Sequence, residues 1–126
     1  MIARIHEIEH HGRLVGVNAP SIEIEAAPPE ELLGELFDPV VRIWMAAMGR
    51  PADHPRAQTF GKVLERQMER DDFRCRIARA SDGSPVGFTY GYTGGPGQWW
   101  TDLVMARMDE ATRLRWTGGH FELVEL

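Results

Sequence analysis

The sequence holds a single cysteine, Cys75, so no internal disulfide can form. Disulfide-stapled small folds are thereby excluded, and a lone thiol fits a reducing compartment. No apolar run approaches the ~18 residues that a membrane-crossing helix needs. Positive charge is also short: 14 Lys and Arg stand against 19 Asp and Glu, a net charge of −5. A polyanionic partner such as nucleic acid is therefore disfavoured. The N-terminal stretch MIARIHEIEHHGR carries charge too early and too often for a signal peptide. The chain is expected to be cytoplasmic, with neither membrane nor nucleic acid as partner. It has no internal repeat and no low-complexity tract. It also lacks the Gly-Lys-Ser/Thr of a P-loop and the spacing of G-x-G-x-x-G.

What remains is one ordinary domain of 126 residues, 43% hydrophobic, which is enough to bury a core. Residues 1–20 read as an N-terminal extension. Ile2, Ile5 and Ile8 have helical spacing, while Leu14, Val15 and Val17 after Gly12 suggest a strand. Residues 21–126 read as the folded unit. Ile22 and Ile24 alternate with Glu23 and Glu25, which predicts a half-buried strand. Pro29 with Glu30 and Glu31 suits a helix start. The apolar stripe that follows is interrupted at Asp38-Pro39 and closes at Gly49, predicting one kinked helix or two abutting ones. Phe60, Val63, Leu64 and Met68 define another helix over residues 55–71. Phe73, Cys75 and Ile77 alternate with arginines, and Ser81-Asp82-Gly83-Ser84 turns that strand into a returning one. Residues 99–116 read as a single helix, and residues 121–126 as a final strand. The class is α+β, in the order β-α-α-β-β-α-β, with a mostly antiparallel sheet.

Several residues carry possible chemistry. HEIEH (His6 to His10) matches H-E-x-x-H, the zinc-hydrolase pattern, but so does a solvated terminal segment rich in His and Glu. TGGPG (residues 93–97) reads as a flexible loop, because Pro96 removes a donor that a phosphate cradle would use. Tyr90, Tyr92, Trp99 and Trp100 either line an apolar pocket or pack a helix onto the sheet. Cys75, mid-strand on the apolar face, reads as an inert buried thiol. On the last strand, alternation places Glu122 with Val124 and Leu126, and Glu125 with Phe121 and Leu123. A carboxylate among apolar neighbours is a candidate general base for an ammonium substrate. On an edge strand, both would simply be wetted.

The order of elements resembles the N-terminal half of a GNAT-superfamily N-acetyltransferase. SIEIEAAPPEELLGELFDPVVRIWMAAM, FRCRIARASDGSPVGFTYGY and GGHFELVEL carry the likeness. The third segment is similar to the family's fourth strand, which runs on into a basic glycine-rich loop that holds the pyrophosphate of acetyl-CoA. The resemblance implies a truncated, acceptor-side half domain over residues 21–126, inactive alone. It also implies transfer of an acetyl group to a small-molecule amine or peptide acceptor. Glu122 would be the catalytic base, Leu126 the first residue against the cofactor, and Tyr90, Tyr92 and Trp99 the acceptor pocket, helped by the loop over residues 49–54. An alternative is a non-enzymatic module that self-associates through its exposed C-terminal strand. Zinc hydrolysis through HEIEH is the third. Whether the chain is an enzyme on its own stays open.

Overall fold

The computed structural model describes residues 21–116 and 119–125. The N-terminal extension with its HEIEH motif, and Leu126, lie outside the described residues. Within the described residues four strands form one sheet in the order β1-β2-β3-β4, every neighbouring pair antiparallel. They are β1 (Glu23–Ala26), β2 (Arg74–Arg79), β3 (Pro85–Thr93) and β4 (Phe121–Glu125). Three helices join β1 to β2: α1 (Pro29–Leu33), α2 (Phe37–Ala47) and α3 (Arg56–Met68). Two more, α4 (Trp99–Met105) and α5 (Glu110–Trp116), stand between β3 and β4. The mixed α+β class and the antiparallel sheet agree with the sequence.

The core is built on one face of the sheet. Cys75 and Ile77 of β2 and Tyr90 and Tyr92 of β3 meet Leu32, Leu36, Val40, Phe60 and Leu64 from the α1–α3 region, all buried. The helical periodicity of those apolar residues is what turns them toward the sheet. Aromatic rings link the layers. Trp44 of α2 stacks on Phe60 of α3 at 4.5 Å between centroids, and Phe60 reaches Phe88 on β3 at 6.3 Å. The hairpin closes as expected: Asp82 Oδ1 accepts from both the backbone N–H and the hydroxyl of Ser84.

Three expectations are corrected. First, β1 is not half-buried. Ile22 is exposed and Ile24 is 70% exposed. Ile24 pairs with Ala78, on the face of β2 opposite to Cys75 and Ile77, so the alternation is real but the apolar side is the uncovered one. Second, the first helical region breaks at residues 34–36, not at Asp38-Pro39. Gly34 leaves the helical conformation, and α2 starts at Phe37. Pro39 then falls in the first turn, where its missing N–H has no intrahelical partner to lose. Third, the helix expected over residues 99–116 is two helices. Asp109 accepts from the Thr112 N–H through Oδ1 at 2.7 Å and from the Arg113 N–H through its carbonyl. This is a helix N-cap, and it starts α5 afresh.

These burials separate two isoleucine- and leucine-bearing positions sharply. Leu64→Ala is expected to cost about 2–5 kcal/mol, since it leaves a cavity in a filled core. Ile24→Ala is expected to change stability by about 0.5 kcal/mol or less. Urea unfolding of the two variants against the parent measures both. Equal losses would mean that β1 buries its isoleucines after all.

Candidate functional site

The described residues place one buried carboxylate beside an aromatic cleft. Glu122 of β4 is only 9% exposed, and Thr101 of α4, also buried, faces it. Thr101 donates its hydroxyl to Glu122 Oε1 at 2.7 Å. His120 Nε2 lies 2.9 Å from the same oxygen. The ring nitrogen facing a carboxylate is a protonated one, so Nε2–H donates. Nδ1 is buried and has no hydrogen-bond partner. His120 and Glu122 sit two apart on an extended segment, so the pleat turns both side chains the same way.

Close backbone approach makes room for this cluster. A Cβ on Gly94 would lie 2.2 Å from His120 Nε2 and 2.4 Å from Glu122 Oε1. A Cβ on Gly91 would meet the Phe121 ring at 2.5 Å. Gly91 lies in β3 and Gly94 just beyond its end, and both are needed for β3 and β4 to pair with these side chains in place.

A cleft of about 490 Å³ opens against the cluster. Tyr92, Trp99, Trp100 and Trp116 form its aromatic walls, Glu122 and His120 its polar floor, and Gln67 of α3 one end. Tyr92 is tied down: Gln67 Nε2 donates to its hydroxyl at 3.4 Å, and the Arg70 guanidinium stands 5.8 Å from its ring centre. Burial, and then the negative charge of Glu122, push the Tyr92 hydroxyl above its usual range. Trp116 packs against His120 at 5.1 Å between ring centres. A smaller cavity of about 210 Å³ also borders His120, lined by Gly94, Thr101 and Met105 among others.

The structure therefore brings together three of the residues expected from sequence: Glu122, Tyr92 and Trp99. Tyr90 stands apart. It is buried in the core, donates its hydroxyl to Gln67 Oε1 at 2.6 Å, and lines a neighbouring cavity rather than this cleft. Leu126 lies outside the described residues. The loop over residues 49–54 sends Ala52 into a separate groove between α2 and α3. That groove, though larger, carries the mixed charges Asp38, Arg42, Lys62 and Glu65 on an open surface and has no buried titratable group. Thr101, His120 and Trp116 were not foreseen as site residues. The His120-x-Glu122 spacing was the available signal for one of them. Thr101 gave only a polar residue at the start of an apolar helix.

Glu125 needs a correction. Leu123 pairs with Gly91 but Glu125 pairs with Tyr90, so Val124 and Glu125 together oppose one residue. This bulge moves Glu125 to the helix-covered side, where it shares a cavity with Trp44, Tyr90 and Val124. Burial raises the Glu125 carboxyl above its ordinary value, and the nearby Trp44 indole N–H opposes the rise. Strict alternation had put Glu125 with Phe121 and Leu123.

The TGGPG loop does not offer a pyrophosphate cradle for the coenzyme that the resemblance implies. The Gly94 N–H donates to the His120 carbonyl, the Gln98 N–H to the Gly95 carbonyl, and the Gly97 N–H to Asp102 Oδ1. Pro96 has no N–H. The Gly94 and Gly97 donors are thus already engaged, the latter by a carboxylate. These residues do not fit an anionic diphosphate. Among the described residues, no group of three or more His, Cys, Asp or Glu is placed to hold a metal ion, and no helix is long and apolar enough to cross a membrane.

No protein-family model matches the chain, and neither a curated protein nor a solved structure is significantly similar to it.

Two outcomes follow from this geometry. Thr101→Val removes a donor from a buried carboxylate at constant shape, and is expected to cost about 1–3 kcal/mol in denaturant unfolding. An unchanged midpoint would mean that the Thr101–Glu122 bond does not form. Cys75 is 2% exposed, and burial pushes its thiol up to about 11. It should react with a thiol reagent at neutral pH only after denaturant is added. Fast labelling of the native protein would contradict its place in the core.

Proposed function

We propose that this cleft is the acceptor side of an acyl-transfer site, as in the GNAT-superfamily N-acetyltransferases that the order of elements resembles. The observation that carries the reading is Glu122: a buried carboxylate, reached through an aromatic cleft, with its orientation held by Thr101 and His120. A protonated amine entering between the tryptophans gains a charge-assisted hydrogen bond to this carboxylate. Its proton passes to a Glu122 oxygen while the N–H bonding pair stays on nitrogen. The neutral amine left behind is the nucleophile that acyl transfer requires. The cleft supplies binding, orientation and proton removal. Since the TGGPG loop does not fit the coenzyme, no transfer step is assigned to these residues.

Calorimetric titration of the purified chain with butylamine, phenethylamine and spermidine tests the reading. At least one amine should bind, and Glu122→Gln should weaken it by about tenfold or more, the scale of one charged hydrogen bond. Equal binding by parent and variant, or no binding at all, would sink it. No turnover of acetyl-CoA is expected from this chain alone.

A second reading rests on a different observation. Among the described residues β4 is an edge of the sheet, and its Phe121 and Leu123 are 50% and 61% exposed. An apolar edge strand invites pairing with another copy. On this reading the chain is a self-associating module. Sedimentation at tens of micromolar decides it, because a strictly monomeric species removes the case.

A further inference from the structure

The geometry points to one class of amine for the cleft: a monoamine carried on a flat apolar group, not a polyamine. The inference rests on the acceptor reading above and narrows it. Among the described residues lining the cleft, Glu122 is the single acidic one; the other polar members are Gln67, His120 and the Tyr92 hydroxyl. Gln67 is already engaged with both tyrosine hydroxyls. A polyamine would place one ammonium at Glu122 and leave its remaining charges against tryptophan, phenylalanine, leucine and valine, with no carboxylate to meet them. Desolvating an unmatched ammonium is unfavourable.

A flat apolar tail meets the opposite situation. Trp99 and Trp100 stand at the mouth, 6.0 Å apart between ring centres and tilted by 44°. Trp99 is 75% and Trp100 54% exposed, so their faces are open to a ligand instead of being used in packing. Trp116 closes the side nearest His120. Rings so placed accept an aromatic or planar apolar group by stacking or edge contact. The carboxylate at the floor and the rings at the mouth thus read two ends of one small molecule.

The test compares four probes by calorimetry: phenethylamine, butylamine, spermidine and phenethyl alcohol. Phenethylamine should bind about tenfold or more tightly than each of the others, since each of them lacks either the ring or the lone ammonium. Glu122→Gln should abolish the preference for phenethylamine over phenethyl alcohol. Trp99→Ala, at an exposed position where folding is not at stake, should abolish the preference over butylamine. If spermidine or butylamine binds as well as phenethylamine and still depends on Glu122, the acceptor site stands and this assignment fails. If no amine shows dependence on Glu122, both fail together.

Discussion

A carboxylate removed from water must find donors, or the fold that buries it is destabilised by several kcal/mol. In this protein that requirement falls on Glu122, and it organises the C-terminal third of the chain. One donor, His120, comes from the segment leading into β4 itself. The other, Thr101, comes from α4, in the excursion between β3 and β4. A single oxygen atom thus ties α4 to β4, and the strand spacing that allows it depends on Gly94 having no side chain. Trp99 and Trp100 ride on the same helix, so the aromatic walls and the carboxylate floor cannot be placed independently.

The sheet has two unlike faces, and this explains much of the surface. The α1–α3 region covers the face bearing Cys75, Ile77, Tyr90 and Tyr92. The opposite face presents Ile24, Ala78, Gly87, Gly91, Phe121 and Leu123, interspersed with Arg74 and Arg76. Arginine suits such a surface, because its stem lies along apolar groups while its head stays wet. Arg74 does this over Phe121, with 5.7 Å from guanidinium carbon to ring centre. Arg79 differs from its neighbours. Strand alternation puts it on the face of Cys75 and Ile77, diagonal to Glu25 of β1, and the two side chains form an ion pair.

How much of this was legible follows from what periodicity can and cannot encode. The β2–β3 hairpin was readable, because alternation in FRCRIAR and the Ser-Asp-Gly-Ser turn agree at two levels. The α3 stripe was readable for the same kind of reason. Alternation at Ile22 and Ile24 was equally clean and misled. It states that one side of β1 is apolar, not that any helix covers that side. The break between α4 and α5 was hidden because the apolar spacing runs through it, while its cause is one aspartate cap. The bulge at Val124 and Glu125 left no mark in the sequence, because it depends on how β4 registers against Tyr90 and Gly91. At the site, Glu122 and Tyr92 were reachable from strand geometry. Thr101 was not, since its partner lies 21 residues away across a connection whose path the pattern does not fix.

Glu122 invites two descriptions, a clamp that secures α4 and a base that serves a ligand, and the chemistry does not set them against each other. Both contacts converge on Oε1 and both come from donors, so the arrangement that fastens α4 also fixes the orientation in which a base would meet a ligand. What distinguishes them is access. A purely structural carboxylate is best sealed by apolar side chains on every side. This one borders a cleft whose rim is made of exposed tryptophans. Exposed tryptophan on a short helix adds nothing to the hold of Thr101 on Glu122, and it places a large apolar area in water. The clamp accounts for the floor of the cleft but not for its mouth, and the mouth is the part that speaks for a ligand.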